Sequence, residues 1–242
     1  MTAAVAGGPA LTVAMPAFDE AGNLERVVRD VLASLRSTDL STEILIVDDG
    51  STDGTAVIAD QLAAELAEVR AVHHGRNRGL GAGWRTCIAE SRGDWVFIQP
   101  ADGQMESSTA RRFYDVRGAS DIVVGIRTRW QRPLHRRLLT TGFHLVTRLA
   151  LGVSLPGDYG VCFLFRGDLV RALPVVSGDL GVAVIVEWLF LARQRGARIS
   201  LEQAEVLPRL SGTSKSGRLG DSLATLMHIL RAAVAHRLLR RG

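Results

Sequence analysis

Three acidic clusters punctuate the first 104 residues, and each follows a short aliphatic run. Pro16-Ala17-Phe18-Asp19-Glu20 comes after residues 11–15, Asp48-Asp49-Gly50-Ser51-Thr52-Asp53 after residues 43–47, and Pro100-Ala101-Asp102-Gly103-Gln104 after residues 95–98. Ligands of open α/β sheets bind beyond the carboxyl ends of the strands, where such loops gather polar groups. Adjacent carboxylates at a strand end, as in Asp48 and Asp49, suit hydrogen bonding to a base or a ribose. Asp53, followed by Gly54 and Thr55, fits a turn leading into a helix N-cap instead. Three acidic loops along one edge repel one another unless a cation or hydrogen-bond donors sit between them.

The elements needed to hold the clusters on one edge are legible as hydrophobic periods. Short β-branched runs alternate with helical patterns, the signature of a parallel sheet. Strands are expected at residues 11–15, 43–47, 69–73 and 95–98, with helices at 21–35, 55–66 and 81–90. The first helix spaces Leu24, Val27, Val28, Val31, Leu32 and Leu35 along one face. Further on, strands are expected at 121–125, 162–165 and 197–206, and a helix at 182–194. The run Gly79-Leu80-Gly81-Ala82-Gly83 is not a dinucleotide fingerprint. Its third glycine would fall at Trp84, and it follows the third strand rather than the first. Close helix–sheet packing explains it better.

Bulk properties bound the answer. The 242 residues suit one α/β domain, and 47% hydrophobic with 22% charged residues excludes a disordered chain. A net charge of +4 and a pI near 9.8 favour anionic partners. Residues 122–157 contain no acidic residue but carry six arginines among leucines, Trp130 and Phe143. That stretch has three readings: a core helix with a basic face, an anion site, or a membrane-surface helix. A second amphipathic pattern spans residues 222–241, where packing on the domain, a partner subunit or a membrane all fit; a homo-oligomer is one outcome. Cys87 and Cys162 are too isolated for a disulfide framework or zinc site, so a reducing compartment is expected. Neither a signal peptide nor a spanning segment of roughly 20 apolar residues is expected. No nucleic-acid module accompanies the basic charge, so nucleic acid is not an expected partner.

The order of the motifs resembles family 2 glycosyltransferases, most closely the dolichol-phosphate mannose synthase-like branch. That family shows a proline-aromatic-Asn-Glu turn, an Asp-Asp-Gly-Ser-Thr-Asp loop, an Asn-x-Gly-Leu-Gly helix start and an Asp-x-Asp metal motif. Here they read Pro16–Glu20, Asp48–Asp53, Asn77-Arg78-Gly79-Leu80-Gly81 and Pro100-Ala101-Asp102; Arg209–Lys215 is similar to a later Arg-x-x-Gly-x-Ser-Lys pattern. The resemblance covers roughly residues 10–220 and implies a GT-A fold: a mostly parallel Rossmann-like sheet flanked by helices. It divides one domain, 1–242, into a nucleotide-sugar half (10–104), an acceptor-side half (105–215) with a basic amphipathic region, and a basic C-terminal helix (216–242).

The resemblance also implies roles. Pro16, Ala17, Phe18, Glu20, Asp48, Asp49, Ser51, Asn77, Gly79, Ala101 and Asp102 would bind a GDP- or UDP-linked sugar. Asp102 and Gln104 would face Mg2+ or Mn2+ and the diphosphate. Arg127, Arg209 and Lys215 would meet the acceptor phosphate, with Asp102, Arg209, Lys215 and Asp158 as the catalytic set. Cations at that point lower the barrier to forming a charged nucleoside diphosphate, and Lys215 is the chain's sole lysine. The implied reaction is inverting transfer to a polyprenyl phosphate at the cytoplasmic face of an anionic membrane by a peripheral protein. The chain departs from the pattern at Pro100, where proline replaces the first metal-motif Asp, which weakens the metal site. Asp19 stands for Asn, and the segment around Asp158 is one residue out of register.

Overall fold

The computed structural model describes residues 8–127, 162–176 and 181–208, together with Met227. In chain order the elements are β1 (Leu11–Ala17), α1 (Leu24–Arg36), β2 (Thr42–Asp48), α2 (Thr55–Glu65), β3 (Val69–His73), α3 (Leu80–Glu90), β4 (Trp95–Ile98), α4 (Thr109–Val116), β5 (Ile122–Arg127), β6 (Phe163–Arg166), α5 (Gly167–Arg171), α6 (Gly181–Gln194) and β7 (Ile199–Ala204). The strands form one seven-stranded sheet in the order β3-β2-β1-β4-β6-β5-β7. Strands β1 to β4 are mutually parallel where they pair, β6 is antiparallel to both neighbours, and β7 runs parallel to β5. Six strands therefore point one way, and their carboxyl ends share one edge. The expectation of a mostly parallel α/β sheet holds.

The central strands are buried because both faces are covered, which is why they read as nearly unbroken aliphatic runs. Successive side chains point to opposite faces. Ala14, Leu45, Val47, Val96 and Ile98 join one core with α3 and α6 residues, including Trp188 and Leu189. Val13, Met15, Ile44, Ile46 and Phe97 join the other, with α1 and with Phe113 of α4. The six apolar residues of α1 at helical spacing are all buried. At about 1.5–3 kcal/mol per buried aliphatic side chain, that stripe rather than helix propensity docks α1.

The spacing missed two elements. α4 is short and mixes arginines with apolar residues, and its main anchor is Phe113, edge-on to Phe97 at 5.4 Å. α5 is only five residues long. Nor did the apolar run at 162–165 disclose that its strand runs antiparallel. Glu187, which interrupts the apolar pattern of α6, is buried and accepts the Val176 N–H at 2.9 Å. Among the described residues no helix is long and apolar enough to cross a membrane.

Candidate functional site

Parallel pairing aligns the strand tips. Ala17 lies opposite Asp48, and Asp48 opposite His73, so the loops after β1, β2 and β3 start from one row. The first two interlock. Asp19 N–H donates to Ser51 Oγ (2.9 Å), Thr52 N–H to Asp19 Oδ1 (2.9 Å), Glu20 N–H to Thr55 Oγ1 (2.8 Å) and Ala21 N–H to Asp53 Oδ2 (3.0 Å). Asp19 sits at φ 51°, in the left-handed region that Asn and Asp tolerate best. The Asn-to-Asp departure therefore preserves both the backbone shape and the oxygen that receives Thr52. Burial alone would raise the Asp53 carboxyl, but the Thr55 hydroxyl and the Ala21 and Thr55 amides hold it below its ordinary value. Asp53 fastens the turn, and Gly54 at φ 97° is the N-cap of α2. Glu20 Oε2 accepts Asn23 Nδ2–H at 2.7 Å, orienting the carboxylate at the foot of α1.

The adjacent carboxylates are buried and point to different partners. Asp48 accepts Ser51 N–H (3.2 Å) and lies 3.3 Å from His73 Nδ1; the other ring nitrogen of His73 is 2.9 Å from Asp60. Burial pulls the His73 ring towards neutrality, but Asp60 and Asp48 prevail and raise its pKa. Asp49 meets His74 Nδ1 at 2.6 Å and accepts the N–H groups of Arg78 (2.9 Å) and Gly79 (2.8 Å). His74 Nε2 in turn lies 2.9 Å from Thr86 Oγ1 in α3. Gly50, at φ 71°, supports the same loop: a Cβ there would stand 2.3–2.6 Å from the backbone of Arg76 and Asn77. Gly79 has φ 90° and ψ 162°, which glycine alone adopts readily. A Cβ at Gly83 would stand 3.4 Å from Pro16 Cβ, so α3 packs next to β1 with little more than a methyl group's room there.

The third cluster follows β4. Ala101 and Asp102 are buried, Gly103 turns at φ 72°, and Asp102 Oδ1 accepts Gln104 N–H at 3.1 Å. Gln104 clasps a distant segment at two points: Leu207 N–H donates to its carbonyl (2.8 Å), and its Nε2–H donates to Leu207 O (3.2 Å). The chain leaving β7 thus runs along the Asp102 loop. Arg209 stands two residues beyond Leu207, no more than about 7 Å of extended chain. Arg127 ends β5 beside Ala204, at the same sheet edge. Asp158, Arg209, Lys215, most of the arginine-rich stretch and all but Met227 of the C-terminal pattern lie outside the described residues.

Among the described residues no three His, Cys, Asp or Glu side chains gather as a metal cage. Asp102 and the amide oxygen of Gln104 are hard oxygen ligands, the kind Mg2+ accepts when one or two carboxylates are supplemented by substrate phosphates and water. The donor set fits a substrate-completed ion, with Pro100 contributing none. No sequence motif marks His73, His74, Thr86 or Leu207, although the two histidines stand directly at the tip of β3.

These features match known proteins. Residues 12–173 match the Glycosyl transferase family 2 model. An undecaprenyl-phosphate mannosyltransferase of Micrococcus luteus is 28% identical over 210 residues, covering 81% of this chain and 85% of that protein. A dolichol-phosphate mannosyltransferase of Mycosarcoma maydis is 31% identical over 168 residues, 63% of this chain and 56% of that one. In fold, glucosyl-3-phosphoglycerate synthase from Mycobacterium tuberculosis, solved with UDP, superposes with a TM-score of 0.67 at 19% identity, over 94% of this chain and 81% of its own. Other crystals of that synthase hold Mn2+ or Mg2+ with UDP. With the model matching well over half its length and the sheet matching these transferases, the chain belongs to glycosyl transferase family 2 and is a glycosyltransferase of GT-A fold.

Proposed function

We propose that the protein transfers a sugar, with inversion, from a nucleotide sugar to a polyprenyl phosphate. The observation that carries this reading is the clasp between Gln104 and Leu207, which brings the segment leading to Arg209 against the Asp102 loop. The lipid-phosphate acceptors named for the Micrococcus and Mycosarcoma relatives support the acceptor class. The nucleoside would lie across the β1 and β2 tips, against Pro16, Ala17, Phe18, Glu20, Asp48, Asp49 and Ser51, with Asn77 and Gly79 closing the β3 side. Asp102 and Gln104 would hold Mg2+ or Mn2+, which when bound neutralises the diphosphate. An acceptor phosphate oxygen attacks the anomeric carbon; the bond from that carbon to the diphosphate oxygen breaks, and nucleoside diphosphate leaves with the electron pair. A phosphate monoester is anionic at neutral pH, so the attacking oxygen needs no proton removed. Arg209 and Lys215, with Arg127 at the rim, would offset the charge of acceptor phosphate and leaving group. Asp158 would complete the catalytic set with Asp102, Arg209 and Lys215. We place the reaction at the cytoplasmic membrane surface, where the acceptor's headgroup meets a nucleotide sugar.

The test offers purified protein radiolabelled UDP- and GDP-sugars, with polyprenyl phosphate and simple sugar alcohols as parallel acceptors. Label entering the lipid fraction is expected; label only in hydroxyl acceptors would overturn the lipid-phosphate reading. Pro100 favours a second reading, a nucleotide-sugar-binding protein with catalysis lost. Its signature is nucleotide binding without turnover, and turnover gained in Pro100→Asp.

A further inference from the structure

The loop between β3 and α3 is closed at both ends by one carboxylate. At its start the His74 ring meets Asp49 Oδ1 at 2.6 Å; at its end Arg78 N–H reaches the same oxygen (2.9 Å) and Gly79 N–H reaches Oδ2 (2.8 Å). Asp49 is 5% exposed and its own N–H donates to Ala17 O, so β1, β2 and the loop meet at this residue. A carboxylate offers about four acceptor positions, and three are taken here by protein donors at short range. His74 is equally buried and committed at its other nitrogen to Thr86 in α3. Asp49 Oδ1 already accepts the Arg78 N–H, so His74 Nδ1 is placed to donate to it, while the Thr86 hydroxyl, which can donate or accept, meets Nε2. Gly50 completes the seat, since the backbone at Arg76 and Asn77 packs where a Cβ would be.

We propose that His74 is a positioning residue that, with Asp49, clamps residues 74–79 into donor-binding shape without itself touching the donor. The inference rests on the transferase reading, in which Asn77 and Gly79 line the donor, and it adds loop construction to the nucleoside role proposed for Asp49. A residue that reads the base sets the preference among nucleotides. A residue that holds the loop sets affinity for all of them together.

The test uses the full chain and two ligands, UDP and GDP, titrated calorimetrically with Mg2+ into wild type, His74→Leu, His74→Asn and Thr86→Val. His74→Leu removes both ring contacts, and the expected effect is a loss of about tenfold in affinity, by the same factor for both nucleotides. His74→Asn, whose amide N–H can replace Nδ1–H, is expected to restore most of that loss; Thr86→Val should show a smaller loss in the same sense. In parallel, amide exchange of the ligand-free protein should quicken at Arg78 and Gly79 in His74→Leu and not in His74→Asn. Wild-type affinity and exchange in His74→Leu would overturn the clamp, as would a changed UDP-to-GDP ratio. If His74→Leu fails to fold, Thr86→Val and His74→Asn decide by the same readings. Should wild type bind neither nucleotide, the donor assignment is lost, while the exchange at Arg78 and Gly79 still decides the clamp.

Discussion

Gln99 is the residue whose environment conflicts most with its chemistry. It is fully buried at the end of β4, its N–H continues the ladder to Ala14 O, and among the described residues neither end of its amide has a partner. An unmet buried polar group costs about 1–3 kcal/mol, so Gln99→Met, similar in length and apolar, should stabilise the fold by that order in urea unfolding. His73 makes a second prediction. Its pKa is raised above the ordinary 6.5 by Asp60 and Asp48 against the opposing pull of burial. A group with a raised folded pKa contributes fully below its unfolded value and loses that contribution as pH climbs through the folded one. The melting temperature should therefore fall as pH rises from about 6.5, and His73→Gln should flatten that slope. Both residues were silent in the sequence, because an amide and an imidazole announce neither their burial nor their partners. Asp48 and Asp49 were legible as a pair, but only the register of β2 with β3 separates them, one towards His73 and the other towards His74.

The elements were read well where apolar residues kept a regular period over enough turns. All six core residues of α1 and every strand from β1 to β4 stood out for that reason. α4 spans only eight residues and fully buries one large side chain, Phe113, and the five-residue α5 follows β6 directly, so neither repeats its pattern over enough turns to stand out. The direction of β6 is set by pairing with β4 and β5, which no local pattern encodes. Loop glycines belong to the same scale, and two of them divide sharply. Gly50 combines a positive φ with backbone atoms 2.3–2.6 Å from any Cβ, whereas Gly54 combines a positive φ with open space. Gly54→Ala should cost about 1–3 kcal/mol for its conformation. Gly50→Ala should cost distinctly more, because Arg76 must also move, and it should weaken nucleotide binding as Gly54→Ala does not. Paired denaturation and titration of the two variants check this.

At the scale of the molecule, the proposed reaction depends on distant segments meeting at the carboxyl edge. Gln104 and Leu207 are 103 positions apart, yet their clasp joins the donor loop to the exit of β7. Motif order suggested such a meeting without supplying the contact. If the proposed charge compensation operates, Arg209→Ala should lower kcat by about a hundredfold or more, with nucleotide affinity changed far less; steady-state rates beside calorimetry separate the two.

The reversed direction of β6 has a further consequence. Because β5 ends and β6 begins at the same rim, the span between Arg127 and Cys162 departs from and returns to the neighbourhood of the carboxylates. Its two attachment points stand side by side, joined by the Gly125 N–H to Cys162 O bond. An insert hung in that fashion can be lengthened, shortened or exchanged between relatives without disturbing a single strand. In the proposed reaction, choice of acceptor could then diverge while the loops at the strand tips stay as they are.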